Sequence, residues 1–395
     1  GDSLLYTNYA YDALGRITAV LNSAGTTANN YNNWKTTAIN ANGKPKDLYY
    51  DAYGNLTQVD EHIAGGTYST YYNYDYFGNV TKIIDAKNNA RNFAYDGLGR
   101  RILAEDLHLQ TDATFGVWSY VFDQAGNLTS LTDPKNQTIN YAYDSLNRGL
   151  TEDYMGQTGV EMAFTYDQGT DGLGRLTGIV SQNLSQTNTY NALGLLKTES
   201  KKINSKSYLT AYNYDIQGNL ILTTNPDNSQ VKNIYNSAGL LDGIQKKEGS
   251  DANFANVADN IDYSPAAKPA FISYANGSAA TNTYDAAKLY RLINKTTTSG
   301  GIRIQDLTYS YDNIGNVTNL VDVSATSASK TVQYVYDDLN RLISAAASNV
   351  AADQSSYSQN YTFDEIGNIL TKTEIIGANS AATSAYSYSG STGNS

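Results

Sequence analysis

One pattern leaves this chain few folds to choose from. The motif Tyr-Asp-x-x-Gly-[Asn/Arg]-[Leu/Ile/Val] returns about every 20 to 28 residues, so self-similarity has to be read before local propensity. Well-formed copies place Tyr11-Asp12 before Gly15, Tyr50-Asp51 before Gly54, Tyr74-Asp75 before Gly78, and Tyr95-Asp96 before Gly99. Phe122-Asp123 precedes Gly126, Tyr214-Asp215 precedes Gly218, Tyr311-Asp312 precedes Gly315, and Phe363-Asp364 precedes Gly367. At Tyr143-Asp144 and Tyr336-Asp337 the glycine position holds Asn147 and Asn340. Looser copies begin at Tyr166, Tyr190 and Tyr235, and degenerate ones at Tyr31, Tyr263 and Tyr284, where Lys35, Ala267 and Lys288 stand in the glycine position. That gives 16 copies and a fading seventeenth near Tyr386.

The motif reads as a strand running into a tight turn. A second aromatic often sits two residues before the first, as at Tyr9, Tyr72, Tyr141 and Tyr309. That spacing puts both rings on one face of a strand and on different sides of a helix. The two aromatic positions account for 22 of the 35 tyrosines, so the tyrosine excess is strand register. Asp at the first position of a type I turn bonds its own backbone two residues on, and a residue three further along closes a bulged hairpin with positive φ. Eleven of the 16 copies have Gly there, and Asn147 and Asn340 are the next most tolerant choice. The apolar residue just before that position, Leu14, Leu98, Ile314 or Ile366, does not suit a solvated turn and is expected to cover a neighbouring repeat.

Each unit ends in a second, return turn, such as Asp85-Ala86-Lys87-Asn88, Asp133-Pro134-Lys135-Asn136 or Asn225-Pro226-Asp227-Asn228. Two strands and two turns per unit give roughly 32 strands, mostly antiparallel because tight turns join sequential neighbours. At about 4.8 Å per strand the meander would be on the order of 150 Å wide. An open sheet of that width does not stay flat, and closed in one turn it would be about 50 Å across, more than side chains can fill. The expected fold class is all-β, an antiparallel hairpin meander coiling into a curved wall around a hollow. Copies with Asn after the glycine tend to alternate with copies carrying Arg, which keeps a propeller with a two-unit blade as a lesser alternative. Residues 1–395 read as one repeat domain, with repeats over 9–373 and a degenerate end over 374–395. Lys246 to Asp262 and Ala345 to Ser356 read as loop insertions, and the final SYSGSTGNS as frayed.

Composition excludes much else. The formal charge of −11 offers no basic face for a phosphate backbone, so nucleic acid is not an expected partner. No apolar stretch approaches the roughly 18 residues of a membrane helix. With no cysteine and only His62 and His108, both in stretches that read as loops, neither a thiol nucleophile nor a histidine metal site is expected. The recurring aspartates cap turns, since a dozen equivalent copies cannot each be a special carboxylate pair. Asp251, Asp259 and Asp262 lack calcium-loop spacing. No phosphate loop or nucleophile elbow occurs, so no catalytic residue, metal or cofactor is expected. Gly1-Asp2-Ser3 carries no signal pattern and reads as the start of a slice from a longer polypeptide.

The repeated Tyr-Asp-x-x-Gly-Arg-Leu copies, with Asp-Pro-x-Asn or Tyr-x-Asn-Gly turns between them, resemble the Rhs/YD-repeat family from Tyr9 to about Thr373. Members include shell components of insecticidal Tc toxins, Rhs polymorphic toxins, wall-associated proteins and teneurins. The resemblance implies a spiralling β-sheet shell, bacterial and secreted or cell-surface, which in toxin members encloses a C-terminal effector. It implies either an enclosed polypeptide cargo, with polar Tyr, Ser, Thr and Asn lining the cavity, or an adhesion module binding an extracellular glycan or protein. Nothing here matches the closing core segment of Rhs shells, so no cleavage role passes to any residue.

Overall fold

The computed structural model describes residues 6–324, 329–348, 356–377 and 379–388. They form one continuous sheet of 34 strands. Strands pair antiparallel with their sequence neighbours, as Leu56–Ile63 does with Pro45–Tyr50 on one side and Gly66–Tyr74 on the other. The one spur is His108–Leu109, which pairs with Ala90 and Asn89 beyond the end of Arg101–Glu105 and shares that strand's position. A propeller would break the ladder into separate blades, so the unbroken ladder removes that alternative.

The wall is a single layer. A compact monomer of 42.9 kDa would expose about 15,000 Å², yet this chain exposes 23302 Å². Among the described residues the buried hydrophobics are six alanines, Ile261 and Val332, while nine polar or charged residues are buried, Asp47, Asn89, His108 and Asp364 among them. Among the described residues there is no central apolar core. Hydrogen-bonded ladders and the polar groups between them carry the cohesion that a core supplies elsewhere.

The wall coils. The return turn at Ala41 and Asn42 touches the Tyr-Asp turn at Asp312 and Asn313, Ala64 touches Asp338, and Lys87 touches Asp364. The separations, 270, 274 and 277 residues, are nearly constant. Counting strand positions between the paired turns gives about 23 per coil, or roughly 110 Å around and 35 Å across at about 4.8 Å per strand. The single closed turn of 32 strands considered from the sequence is thus replaced by a tighter coil that overlaps itself.

Local readings are corrected at several places. Within Lys246 to Asp262, Leu241–Lys247 and Ala255–Tyr263 are strands, and only 248–254 connects them. A bulge near Asn260, whose φ is 49°, interrupts the alternation, while Ala258 and Ile261 still face inward. Leu342–Ser348 is likewise a strand with Ala345 and Ala347 buried, so the insertion expected from Ala345 does not begin there; 349–355 lie outside the described residues. His62 stands on the strand Leu56–Ile63 and His108 on His108–Leu109, not in loops. Of the tail expected to fray, 389–395 lie outside the described residues.

Candidate functional site

The repeated element is the Tyr-Asp turn. At Asp75 the backbone N–H donates to the Asn79 carbonyl at 3.0 Å and the Gly78 N–H donates to the Asp75 carbonyl at 3.1 Å. One carboxylate oxygen accepts from the Phe77 and Asn79 N–H groups, each at 2.9 Å, and the other accepts from the Asn79 side-chain amide at 2.9 Å. The same scheme recurs at Asp12, Asp51, Asp96, Asp123, Asp144, Asp215, Asp312, Asp337 and Asp364. The Asn79 amide, then the turn's own N–H groups, hold the Asp75 carboxyl below its usual range. Each of these carboxylates accepts about three hydrogen bonds inside its own turn, and at Asp312 and Asp364 a donor from another coil as well.

The glycines stand where the sequence puts them. Gly54 has φ of 85° and Gly78 84°, and Asn147 and Asn340 take the same left-handed position at 61° and 62°. The degenerate copies solve the turn differently. Ala267 adopts φ of 55° in an otherwise ordinary turn. After Tyr284 a short 3₁₀ segment, Ala286–Lys288, moves the left-handed residues to Leu289 and Tyr290. Gly25–Asn32 and Lys35–Ile39 are joined by only Asn33 and Trp34, with no bulge, so the copy at Tyr31 has no Tyr-Asp turn.

The tyrosine hydroxyls have a role beyond register. Each hairpin closed by a Tyr-Asp turn has a bulge at the aromatic, and the carbonyl just past that bulge lies outside the next ladder; the register of Leu56–Ile63 with its following strand stops at Gln58↔Tyr71. The Tyr74 hydroxyl donates to that carbonyl, of Leu56, at 2.8 Å. Tyr31, Tyr95, Tyr143, Tyr166, Tyr190, Tyr235, Tyr263, Tyr284, Tyr311 and Tyr336 do the same one repeat back. The seventeenth copy belongs to Tyr388, whose hydroxyl reaches the Ile369 carbonyl, and not to Tyr386. Where the residue two before the ring is Asn, its amide donates to the same carbonyl; Asn29, Asn188, Asn233 and Asn282 all do so. Burial pushes the Tyr74, Tyr143, Tyr311 and Tyr336 hydroxyls above their ordinary pKa, so they stay protonated donors.

Arginine after the turn links neighbouring repeats. Arg100 donates to its own Asp96 at 2.7 Å and, through another guanidinium nitrogen, to the Asp123 carbonyl of the next turn at 2.7 Å. Its guanidinium also lies 5.0 Å from the Phe122 ring centroid. Arg341 repeats the arrangement with the Asp364 carbonyl and the Phe363 ring, while Arg148, beside the Tyr166 ring, donates to the Asp167 carboxylate of the next turn instead. Asparagine in the same position reaches sideways more weakly, Asn127 donating to Asn147 at 2.8 Å. The alternation noticed in the sequence is this choice of lateral linker. The pairing of position five with Asp was visible as an Asp-x-x-x-[Asn/Arg] spacing.

The seam between coils is polar. Asn42 donates to Asp312 at 2.9 Å, and Asn313 donates to the Asn42 side chain at 3.2 Å and the Ala41 carbonyl at 3.0 Å. Lys44 pairs with Asp338 at 2.6 Å, the Ala64 N–H reaches the other oxygen of that carboxylate at 2.7 Å, and Lys87 pairs with Asp364 at 3.0 Å. Lys44, and then the Ala64 N–H, holds Asp338 low. Burial pushes Asp364 and Asp312 up, but the Asn and Lys donors outweigh it and keep both below the usual range.

The turn-tip residues divide along this seam. Ile314, Leu339 and Ile366, on turns that face the first coil, are half-buried, whereas Leu14 is 78% and Leu98 76% exposed. The expectation that the tip covers a neighbouring repeat therefore fails at Leu14 and Leu98, because adjacent turns along one coil lie side by side. A tip is covered only where another coil stacks on it.

Both histidines are engaged by neighbouring groups. His62 meets Asp47 at 2.8 Å and Thr67 at 3.2 Å, and Asp47 also accepts from Thr37 at 2.5 Å and Lys35 at 2.7 Å. Burial pushes Asp47 up, but these donors outweigh it and hold it at about 2. His108, buried, stacks on Phe115 with 3.8 Å between centroids and engages the Asp106 carbonyl. No cluster of three metal-ligating side chains occurs among the described residues, and no helix there is long and apolar enough to cross a membrane.

Comparison with known proteins fits this geometry. Residues 29–172 match the model of the Teneurin YD-shell family. The toxin subunits YenC1 and YenC2 of Yersinia entomophaga are 28% and 27% identical over 194 and 198 residues, each match covering 41% of this chain and 20% of the subunit. The fold matches the solved TcdB2-TccC3 structure with a TM-score of 0.86 at 18% identity, covering 98% of this chain and 23% of that one. It matches the Tc holotoxin pore of Photorhabdus luminescens with a TM-score of 0.85 at 18% identity, covering 96% of this chain and 22% of that one. This chain thus spans about a fifth of the length of its curated relatives. With its repeated turns, its continuous coiled sheet and these matches, the chain resembles the shell-forming proteins of the Rhs/YD-repeat family, with residues 29–172 carrying the match to the Teneurin YD-shell model.

Proposed function

We propose that this chain is a segment of the wall of a secreted bacterial toxin-type protein, and that the wall encloses a polypeptide cargo. The observation that carries the reading is the self-stacking coil: a one-layer sheet whose turns meet again after about 270 residues surrounds space that its own side chains do not fill. A wall of this kind has no chemistry to perform. Its recurring carboxylates are consumed in turns and its histidines in structural pairs, so we read the segment as non-enzymatic. We take residues 1–395 as one repeat domain, with the Tyr, Asp and Gly or Asn of each turn as its structural residues. An adhesion module that stacks sugars on tyrosine is less favoured, because eleven of the fourteen leading tyrosines are half-buried with their hydroxyls fixed on backbone carbonyls and so offer little free ring face.

The test is protection. A guest polypeptide carrying a protease site is fused after Ser395 and its cleavage is timed against the free guest. Enclosure slows cleavage while the wall stays intact; equal rates would overturn the reading.

A further inference from the structure

We propose that Asn42 is a deamidation site gated by the seam between coils: stacked coils shield it, and once they part its conversion to aspartate or isoaspartate keeps them from closing again. The chain has two Asn-Gly pairs, Asn42-Gly43 and Asn276-Gly277. Glycine has no side chain to screen its backbone nitrogen, so that nitrogen can reach the side-chain carbonyl carbon of the asparagine before it. An N–Cγ bond forms, the Cγ–Nδ2 bond breaks, and the amide leaves as ammonia with the proton of the glycine N–H. Water then opens the cyclic imide at either carbonyl, giving aspartate or isoaspartate. The net change is one water consumed and one ammonia released.

The two pairs share a local geometry and differ in what holds the asparagine. Each glycine closes a turn with positive φ, 77° at Gly43 and 81° at Gly277. Each glycine N–H donates to the carbonyl three residues back, of Asn40 at 2.8 Å and of Tyr274 at 3.0 Å. Asn276 is exposed, and its side-chain oxygen accepts from Ser278 inside its own turn. Asn42 is half-buried, and among the described residues its side chain bonds only across the seam. Its amide donates to Asp312 at 2.9 Å and its oxygen accepts from the Asn313 N–H at 3.2 Å. Those bonds fix the side-chain torsion, so cyclisation at Asn42 waits for the seam to open and its rate follows the population of the open form. The product sets a carboxylate where an amide donor stood against Asp312, which already accepts from Asn316 and its own turn. Two carboxylates at that distance repel, so the modified seam stays open. The device depends on the seam and not on any cargo.

Peptide mapping by mass spectrometry of the full chain, aged in mildly alkaline buffer, tests it, with Asn276 as the internal clock. In the intact chain Asn42 is expected to deamidate about tenfold or more slowly than Asn276. In Asn313→Ala/Asp338→Ala it should approach the Asn276 rate, because that variant removes cross-seam partners of Ala41, Lys44 and Ala64 and leaves the turn of Asn42 intact. Asn42→Asp should speed amide exchange at Ala64, whose N–H is held across the seam at 2.7 Å, by about tenfold, while Asn276→Asp leaves it unchanged. Deamidation of Asn42 as fast as that of Asn276 in the intact chain would overturn the proposal. So would a rate at Asn42 unmoved in the seam variant, or exchange at Ala64 unmoved by Asn42→Asp.

Discussion

Replacing Tyr143 or Tyr235 by Phe removes the same hydroxyl from the same place in the repeat, yet the two changes should not cost the same. Tyr143 donates to the Leu128 carbonyl at 2.8 Å, and Ala142 and Tyr141, the residues before it, bring no side-chain amide to that oxygen. Tyr235 donates to the Leu220 carbonyl at 3.0 Å, but Asn233 donates to the same oxygen at 3.0 Å. Losing a net hydrogen bond costs about 0.5–1.5 kcal/mol, while leaving a half-buried carbonyl without its donor costs about 1–3 kcal/mol. Tyr143→Phe should therefore cost about 2 kcal/mol and Tyr235→Phe about 0.5 kcal/mol, with Asn233→Ala/Tyr235→Phe returning to the larger figure. Repeat walls open locally, so the readout is amide exchange in Leu128–Thr132 and Leu220–Thr224. About 2 kcal/mol corresponds to roughly thirtyfold faster exchange in the first segment, against about twofold in the second. Equal acceleration in the two single variants would refute the claim that the hydroxyl works by capping the bulge carbonyl.

Other outcomes follow from the turns and the seam. Gly54→Ala, with open space around the new methyl but φ of 85°, should cost about 1–2 kcal/mol by chemical denaturation, and Gly54→Asn distinctly less. Lys44→Glu should loosen the seam by setting like charges against Asp338, and Lys44→Glu/Asp338→Lys should restore it in part; crosslinking across the seam reads both. The seam should also answer to acid. Asp338 and Asp364 are held below the carboxylate value of 3.8, so their contribution is complete above that pH and is lost as the pH falls through their lowered values. Scattering from neutral pH downward should show a constant radius until below about pH 4 and expansion only there; expansion near neutrality would contradict the assignment.

What the sequence made legible is what the backbone settles locally. Tyr-Asp-x-x-Gly fixes a strand end, a turn and a bulge within five residues, so Gly54, Gly78 and Asn147 stand where expected. Even the degenerate Ala267 keeps the turn, because the surrounding hydrogen bonds outweigh the cost of its φ. The pattern misled where another local solution was cheaper, as with the two-residue loop at Asn33 and Trp34 or the shifted left-handed pair at Leu289 and Tyr290. Lys246 to Asp262 looked like loop because a bulge interrupts its alternation. The coil was out of reach for a different reason. Its pitch follows from small twists accumulated over about 23 strands, and the partners it brings together, Asn42 with Asp312 and Lys87 with Asp364, share no motif. The role of the turn tip depends wholly on that coiling, which is why Leu98 and Ile366 look alike in sequence and differ in the structure.

The coiling itself can be measured directly, because a chain with no cysteine accepts a single pair of spin labels cleanly. With labels at Ala86→Cys and Glu365→Cys, a coiled wall places them across the seam and gives one narrow distance distribution below about 30 Å. An uncoiled ribbon with the same strands would hold them on the order of 110 Å apart, and a distribution there, or one spread without a short component, would contradict the coiled shell.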